Sequence, residues 1–444
     1  MNDDSKDIYH GTAVPAGRLT RLGRFGRLAG GIAGSVIGHG TKQVLSGERP
    51  ELRSLLLTQK NVGRVADQLS QLRGAAMKLG QLVSMDSGNL LSPELAELLA
   101  RLRSGADPMP MLQLDKRLTE EWGADWQNQF SQFTFKPIAA ASIGQVHKAT
   151  LKDGRAVAIK VQYPGVDKSI DSDIDNALTL LKISGLLPKE LKLDTLVDEA
   201  KLQLHAEADY RVEREHLQHY RQLIDGLAGY QVPNTVDAMS TRTILTMDLM
   251  HGHDIEQLAS YPQWVQPVGQ RMFELLFREI FDWQRVQTDP NFANYQFDPN
   301  DGSLILLDFG ATRSISSSVS NAYQRLLSAG ARKDTVAMTE AARSIGYFED
   351  SINPSQMETV LTLFQLACEP LTTEGEYDFA HSDLPQRIRD VGLRLSMQEG
   401  YWHSPPVDAL FLHRKMAGLF LLAQRVGLTL DLRKTIEPWL YWHR

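Results

Sequence analysis

The sequence predicts an α+β fold in two lobes, a small strand-rich one followed by a larger helical one, with a helical extension in front of both. Three observations carry this reading. Apolar residues recur at three- and four-residue spacing from Glu51 to about Arg103, the period drops to two near Phe133, and beyond His251 the pattern is again mainly helical. The expected divisions are a basic, glycine-rich amphipathic segment at 1–50, a helical extension at 51–130, the small lobe at 131–250 and the large lobe at 251–444. A cleft is expected between the lobes.

The first segment is set apart by its charge. Between Ile8 and Gly47 there is no acid, while Arg18, Arg21, Arg24, Arg27 and Lys42 are present beside Leu19, Leu22, Phe25 and Leu28. Such a stripe suits an anionic lipid surface at about 1 kcal/mol per charge, or else a solvated helix docked on its own domain. In the extension, QKNVGRVADQLSQLRGAAMKLGQLVSMD reads as one helix. SPELAELLARL reads as a second, with Ser92 as its cap and Pro93 in its first turn. SGADPMPM is a break before the helix LDKRLTEEW.

The small lobe begins with FTFKPIAAASIGQVHKATLKDGRAVAIKVQYPGV. It reads as strand, tight loop, strand, an Asp153-Gly154 hairpin turn and a third strand ending near Val161. Helices are expected over about 167 to 226, followed by two strand candidates, QVPNTVDA and RTILTMDLM. The large lobe is broken only by TDPNFANYQFDPNDGSLILLDFG.

Composition excludes several classes. A chain of 444 residues, 42% hydrophobic and 23% charged, has ample material for a core, and its length suggests about two to four domains. The single Cys368 rules out a disulfide framework and any multi-cysteine metal site, which fits a reducing compartment. With 47 Lys+Arg against 54 Asp+Glu, the net charge of −7 gives no reason to expect nucleic acid. No uncharged apolar run reaches the roughly 18–20 residues that span a bilayer, and His413, Arg414 and Lys415 interrupt the stretch from Leu410 to Leu422. The opening MNDDSKD reads as neither secretory signal nor transit peptide, so a cytoplasmic protein, peripheral on the inner face of a membrane, is expected.

Four separated pieces make sense together as a nucleotide site. Lys160 ends the alternating strand AVAIKV, where a buried cation needs an anion; a strand-end lysine reaching solvent is the alternative. Asp289 and Asn294, five apart in a loop, could supply a catalytic carboxylate and a metal-ligating amide, or simply form turns. Asp308 follows the strand LILL and precedes Phe309-Gly310, where a carboxylate can hold Mg²⁺. The Asp289-to-Asp308 interval is 19 residues with Asn294 between them and Lys160 far upstream, which is the parts order of a protein-kinase-like phosphoryl-transfer site using ATP and Mg²⁺. The glycine-rich phosphate loop is absent. Ala139, Ala140, Ala141 and Ser142 stand in its place, and alanine's Cβ makes a stiffer lid over the phosphates.

These residues resemble the UbiB/AarF/ADCK family of atypical protein-kinase-like proteins, associated with ubiquinone biosynthesis and isoprenoid-lipid homeostasis. The family's KxGQ is Lys78-Leu79-Gly80-Gln81, its Ala-rich loop is AAASIGQVH, its strand lysine lies in VAIKVQYPGV, its ExD is Glu207-Ala208-Asp209 and its metal motif is Asp308-Phe309-Gly310. The resemblance implies a bilobal protein-kinase-like fold with an N-terminal KxGQ extension that covers the place of a peptide substrate. It also implies that Lys160 holds the α/β phosphates and is oriented by Glu213, that Asn294 and Asp308 hold Mg²⁺, and that Asp289 orients or deprotonates the acceptor. The KxGQ lysine would lie near the ExD carboxylates, so Lys78 should meet Glu207 or Asp209, with Gln81 on the same helix face.

One departure is visible, since the family's HxDPHPGN reads Gln287-Thr288-Asp289-Pro290-Asn291-Phe292-Ala293-Asn294 here. The expected function is an ATP-binding, Mg²⁺-dependent atypical kinase or ATPase supporting quinone or isoprenoid-lipid biosynthesis. Its expected partners are anionic lipid and quinone-pathway molecules or proteins. Because of the altered loop, a nucleotide-gated scaffold or chaperone with little turnover is the alternative. A phosphotransferase of the aminoglycoside or choline type shares the lysine and aspartate logic but does not need KxGQ.

Overall fold

The computed structural model describes Leu69 and residues 72–86, 108–184, 193–401 and 405–440. The basic segment at 1–50, the SPELAELLARL helix and most of the extension expected before Leu69 lie outside these residues. The chain divides into two compact units, one running to Val212 and resuming over Thr235–Leu249, the other made of Glu213–Asn234 and Met250 onward.

The first unit is built on an antiparallel sheet. Helix α1 spans Arg73–Asp86 and α2 spans Met111–Trp122. The strands that follow are β1 (Phe130–Phe133), β2 (Ala139–Ala141), β3 (Gly144–Leu151) and β4 (Ala156–Gln162). Helices α3 (Ile170–Ser184) and α4 (Leu193–Glu207) come next, followed by α5 (Tyr210–Ile224), which from Glu213 onward belongs to the second unit. Of the two later strand candidates, the first contributes only Gln231 to β5 (Tyr230–Gln231), which pairs in the other unit, and the second gives β6, Ile244–Asp248. Sheet order is β1-β3-β4-β6, with β2 on β3.

The Asp153-Gly154 turn closes the β3–β4 hairpin. Leu151 N–H donates to Arg155 O at 2.9 Å, and Gly154 takes φ +91°, which glycine adopts without Cβ strain. The Ala-rich stretch differs from the expected loop. Ala139–Ala141 is a strand whose register on β3, Ala139 opposite Val146 and Ala141 opposite Gly144, makes Ser142-Ile143 a two-residue hairpin tip. Alanines at extended φ/ψ satisfy the edge of β3, which a glycine-rich run would do at greater entropic cost.

Alternation in β4 places Val157, Ile159 and Val161 in a core with Leu114 and Leu118 of α2, Trp126, Phe130 and Tyr163. Trp126 meets Phe130, Phe133 and Phe135 edge-on at 5.0–6.3 Å, and its Nε1–H donates to Asp115 at 3.2 Å. Lys160, between two of these core positions, belongs to the opposite face of the strand, and it too is buried.

His147 on β3 is fully buried. Its Nδ1–H donates to Thr134 O at 3.0 Å, so Nε2 accepts from Gln145 Nε2 at 2.8 Å, while Gln145 Oε1 accepts from Met109 N–H at 2.7 Å. This chain of bonds requires the neutral ring. Burial accordingly pushes the pKa down from 6.5 to about 4, against the pull of Thr134 O. The unfolded chain takes up its proton near 6.5 and the native one only near 4, so stability present above 6.5 is lost as pH falls between those values. The loss is roughly 3 kcal/mol for this group. Urea unfolding at pH 7 and pH 4.5 is expected to show that loss, and His147→Leu, though less stable throughout, is expected to show a flatter pH dependence.

The second unit holds a sheet of order β5-β10-β9-β7, from β7 (His253–Asp254), β9 (Tyr295–Phe297) and β10 (Leu304–Leu306), with β5 parallel to β10. A separate antiparallel pair joins β8 (Arg285–Gln287) to β11 (Thr312–Ser314). Helix α6 (Pro262–Phe277) runs into one π-turn, Arg278–Asp282, closed by Trp283 N–H on Arg278 O at 2.8 Å. Helices α7 (Ser317–Ala331), α8 (Thr335–Ile345) and α9 (Pro354–Ala367) begin with side-chain caps from Ser316, Asp334 and Asn353. The helix α10 (Glu369–Thr372), the strand β12 (Tyr377–Asp378) and α11 (Leu384–Leu393) lead to α12, Val407–Val426, which ends at Gly427 in the left-handed region. Among the described residues no helix is long and apolar enough to cross a membrane.

Candidate functional site

In the first unit, Lys160 lies opposite Val146 on β3 and Leu245 on β6, so its position is fixed by two ladders. Its Nζ is 5.3 Å from the centre of the Tyr210 ring. Gly144 is the point where β3 turns under the hairpin tip. A Cβ there would be 2.5 Å from Val161 O and 2.6 Å from the Tyr210 hydroxyl, so only glycine fits.

The hairpin tip is tied to the KxGQ helix through one carboxylate. Lys78 Nζ donates to Glu207 Oε1 at 2.5 Å, and Ser142 Oγ donates to Glu207 Oε2 at 2.9 Å. Gly74, one turn before Lys78, completes the contact: a Cβ would be 2.7 Å from Ile143 Cγ2 and 3.0 Å from Ser142 O. Gln81 is half-buried on the same helix.

Asp209 turns the other way. It accepts from Arg211 Nε at 2.9 Å and Nη2 at 2.6 Å, with Arg242 Nε 4.0 Å away, and the Arg211 guanidinium holds its carboxyl below the usual range. Of the two ExD acids, then, Glu207 is the partner of Lys78. Both members of that pair are nearly buried, so removing the cation leaves an anion without solvent. Lys78→Met is expected to lower stability by about 3 kcal/mol, the lower end for a broken buried pair because Ser142 still donates to Glu207. Urea denaturation reads it, and an unchanged midpoint would contradict it.

In the second unit, β8 delivers the Asp289 loop. Thr288 N–H and Oγ1 both donate to Ala311 O, at 3.0 and 2.8 Å, anchoring the loop to the segment after Gly310. Asn291 caps the turn Phe292–Asn294, which returns Asn294 to Asp289: Asn294 Nδ2 donates to Asp289 Oδ2 at 3.2 Å. Asn294 O accepts from Leu307 N–H at 3.0 Å, so the loop is joined to the residue before Asp308.

Asp308 Oδ1 accepts from Gly310 N–H at 2.9 Å, and a Cβ on Gly310 would be 3.3 Å from that oxygen and 3.4 Å from Glu213 Oε2. Glu213 and Asp308 thus bring carboxylate oxygens to the same glycine. Phe309 is fully buried, its ring 4.9 Å from that of Tyr220 on α5. Among the described residues no group of three or more His, Cys, Asp or Glu could cage a metal ion.

Sequence reasoning missed a further member. Arg414 of α12 donates from Nη2 to Asp289 Oδ1 at 3.0 Å. The next residue, Lys415, is buried and donates to Gln287 O at 2.8 Å. The signal was present: three polar residues, His413, Arg414 and Lys415, interrupt an apolar helix, and buried cations there need acceptors.

A strand lysine in a small antiparallel sheet, and a loop Asp–Asn pair followed by a strand and Asp-Phe-Gly, are the features of a protein-kinase-like protein. Residues 101–342 match the ABC1 atypical kinase-like domain, and the chain belongs to that family. The chain is 36% identical over 443 residues to the mitochondrial atypical kinase COQ8 of Saccharomyces cerevisiae, covering 98% of this chain and 87% of that one. It is likewise 36% identical over 422 residues to the mitochondrial atypical kinase COQ8B of Rattus norvegicus, covering 93% of this chain and 78% of that one. Among solved structures, Rv3197 of Mycobacterium tuberculosis, in complex with erythromycin, aligns with a TM-score of 0.59 at 21% identity. The alignment covers 86% of this chain and 96% of that one, a likeness of fold. The fold is the bilobal, α+β kinase-like one.

Proposed function

We propose that this chain is an ATP-dependent, Mg²⁺-requiring atypical kinase or ATPase that supports isoprenoid-quinone or related lipid biosynthesis at a membrane surface. The observation that carries the reading is the linkage of Asp289 to Asn294, and of Asn294 to the residue before Asp308, within one unit. Asn294 and Asp308 fit Mg²⁺, which commonly takes one or two protein oxygens and completes its shell with phosphate and water rather than with a protein cage. With its Nδ2 engaged by Asp289, Asn294 keeps its amide oxygen as the atom for a cation. Mg²⁺ would supply charge neutralisation on the phosphate oxygens.

Lys160 would hold the α/β phosphates, with Glu213 orienting it, beneath the lid of Ala139, Ala140, Ala141 and Ser142. Asp289 would orient the acceptor hydroxyl or water and take its proton. The clip from Lys78 through Glu207 to Ser142 fastens the KxGQ helix to the lid, which favours a small or lipid-linked acceptor, or water, over a polypeptide. The COQ8 relatives support a place in quinone biosynthesis. The arginine stripe from Arg18 to Arg27 would meet anionic lipid.

Purified protein is expected to release ADP above background, faster with anionic liposomes and a quinone-like phenol. Equal release by wild type and Asp308→Asn would sink the catalytic reading. One observation favours a second reading, a nucleotide-gated scaffold: Asp289 already receives Arg414, which competes with its use as a base. Stabilisation by nucleotide without multiple turnovers would select that reading.

A further inference from the structure

Helix α12 touches the Asp289 loop at three positions. Arg414 reaches Asp289, Lys415 reaches the main-chain carbonyl of Gln287, and Gly418 faces Pro290, where a Cβ would be 2.4 Å from Pro290 Cβ and 3.1 Å from its Cγ. Neither the proline ring nor the helix backbone can yield at that distance without one moving the other. A glycine inside a 20-residue helix also weakens the helix, so the close approach is what gives it a purpose.

Lys415 is set in a buried network. Its Nζ donates to Gln287 O at 2.8 Å and to the Tyr295 hydroxyl at 2.6 Å, and lies 3.3 Å from both Gln287 Oε1 and Glu279 Oε2. Tyr295 donates onward to Gln287 Oε1 at 3.2 Å, so two donors fix the orientation of that amide. Glu279, presented by the π-turn after α6, accepts from Tyr220 at 2.9 Å and from Gln287 N–H at 3.4 Å. Both backbone groups of Gln287, two residues before Asp289, are therefore held by one buried ion pair. Apolar pairs of similar volume often match a buried ion pair in stability, so the arrangement serves placement more than cohesion.

We propose that α12 is the seat on which the Asp289 loop is positioned for phosphoryl transfer, with Lys415 as a positioning residue and Gly418 as the point of closest approach. The seat rests on the phosphoryl-transfer reading above, but it also has a consequence independent of turnover, the ordering of the loop.

Three variants test it: Gly418→Ala, Lys415→Met, and Lys415→Met combined with Glu279→Leu. Gly418→Ala strengthens the helix and crowds Pro290. The helix gain offsets part of the cost of displacing Pro290, so Tm is expected to fall modestly and Mg-ATP affinity to stay within about twofold, while kcat falls about 10- to 100-fold. The double variant is expected to recover most of the Tm lost by Lys415→Met without recovering kcat. Amide hydrogen exchange over 287–295 is expected to rise in Gly418→Ala and in the double variant. Recovery of kcat together with Tm, or wild-type kcat in Gly418→Ala, overturns the proposal. Unchanged exchange overturns it too, whether or not the wild type turns over. A wild type that releases no ADP sinks the catalytic reading separately, and faster exchange in these variants would then still support the seat.

Discussion

Asp308→Asn is expected to reduce ADP release by about 100-fold or more while leaving the fold intact. Asparagine has the same shape, and its amide oxygen can still accept from Gly310 N–H, so the local turn survives. What is lost is an anion at the place where a divalent cation would be held. The isosteric side chain keeps the hydrogen bond that closes the turn, so unfolding is expected close to the wild-type temperature. A variant that lost activity and stability together would point to structural damage instead.

The largest stability effect is expected at Lys415. Burial opposes its charge, but Glu279 and Tyr295 outweigh that cost and raise its pKa. Burial pushes the Glu279 carboxyl up, against the pull of Lys415 and the donation from Tyr220. Lys415→Met leaves that carboxylate in the core without its cation, at an expected cost of about 3–5 kcal/mol. Adding Glu279→Leu removes the orphaned acid and should return most of it, a recovery that a double-mutant cycle in urea measures directly. Additive losses in the double variant would show that the two residues do not act as a pair.

How far the sequence made this legible depended on the range of the interactions. The Asp153-Gly154 hairpin and the Val157-Ile159-Val161 face follow from local propensity and a period of two, and both stand in the structure. The family resemblance pointed to Lys78 and Glu207, which meet across 129 residues of chain, but it could not choose between Glu207 and Asp209. That choice depends on Arg211 and Arg242, whose guanidinium groups take Asp209.

Two strand assignments failed for physical reasons. The Ala-rich stretch reads as a loop because it stands where a phosphate loop is expected, whereas three alanines suffice to pair with the edge of β3. QVPNTVDA has strand composition, yet Pro233 cannot donate to a ladder; only Gln231 belongs to a strand, Tyr230–Gln231 on β10, and Thr235 makes a single bridge to Met247. The bracing of the Asp289 loop was hidden for a different reason. Arg414 and Lys415 lie more than 120 residues from Asp289 and Gln287, and nothing local in a helix says which distant carbonyl a buried cation will meet.

The departure at Gln287 also becomes intelligible. Its amide oxygen accepts from Tyr295 and faces Lys415, so the position is filled by an acceptor matched to a buried cation. An imidazole there would have to remain neutral to do the same.

On the proposed reading, Asp289, Asn294 and Asp308 serve a magnesium-bound nucleotide. Calorimetric titration of ATP, with and without Mg²⁺, into wild type and Asp308→Asn tests it most directly. Wild type is expected to bind ATP more tightly when Mg²⁺ is present, and Asp308→Asn to lose most of that gain. Binding that is indifferent to Mg²⁺, or equal in the two proteins, would contradict it.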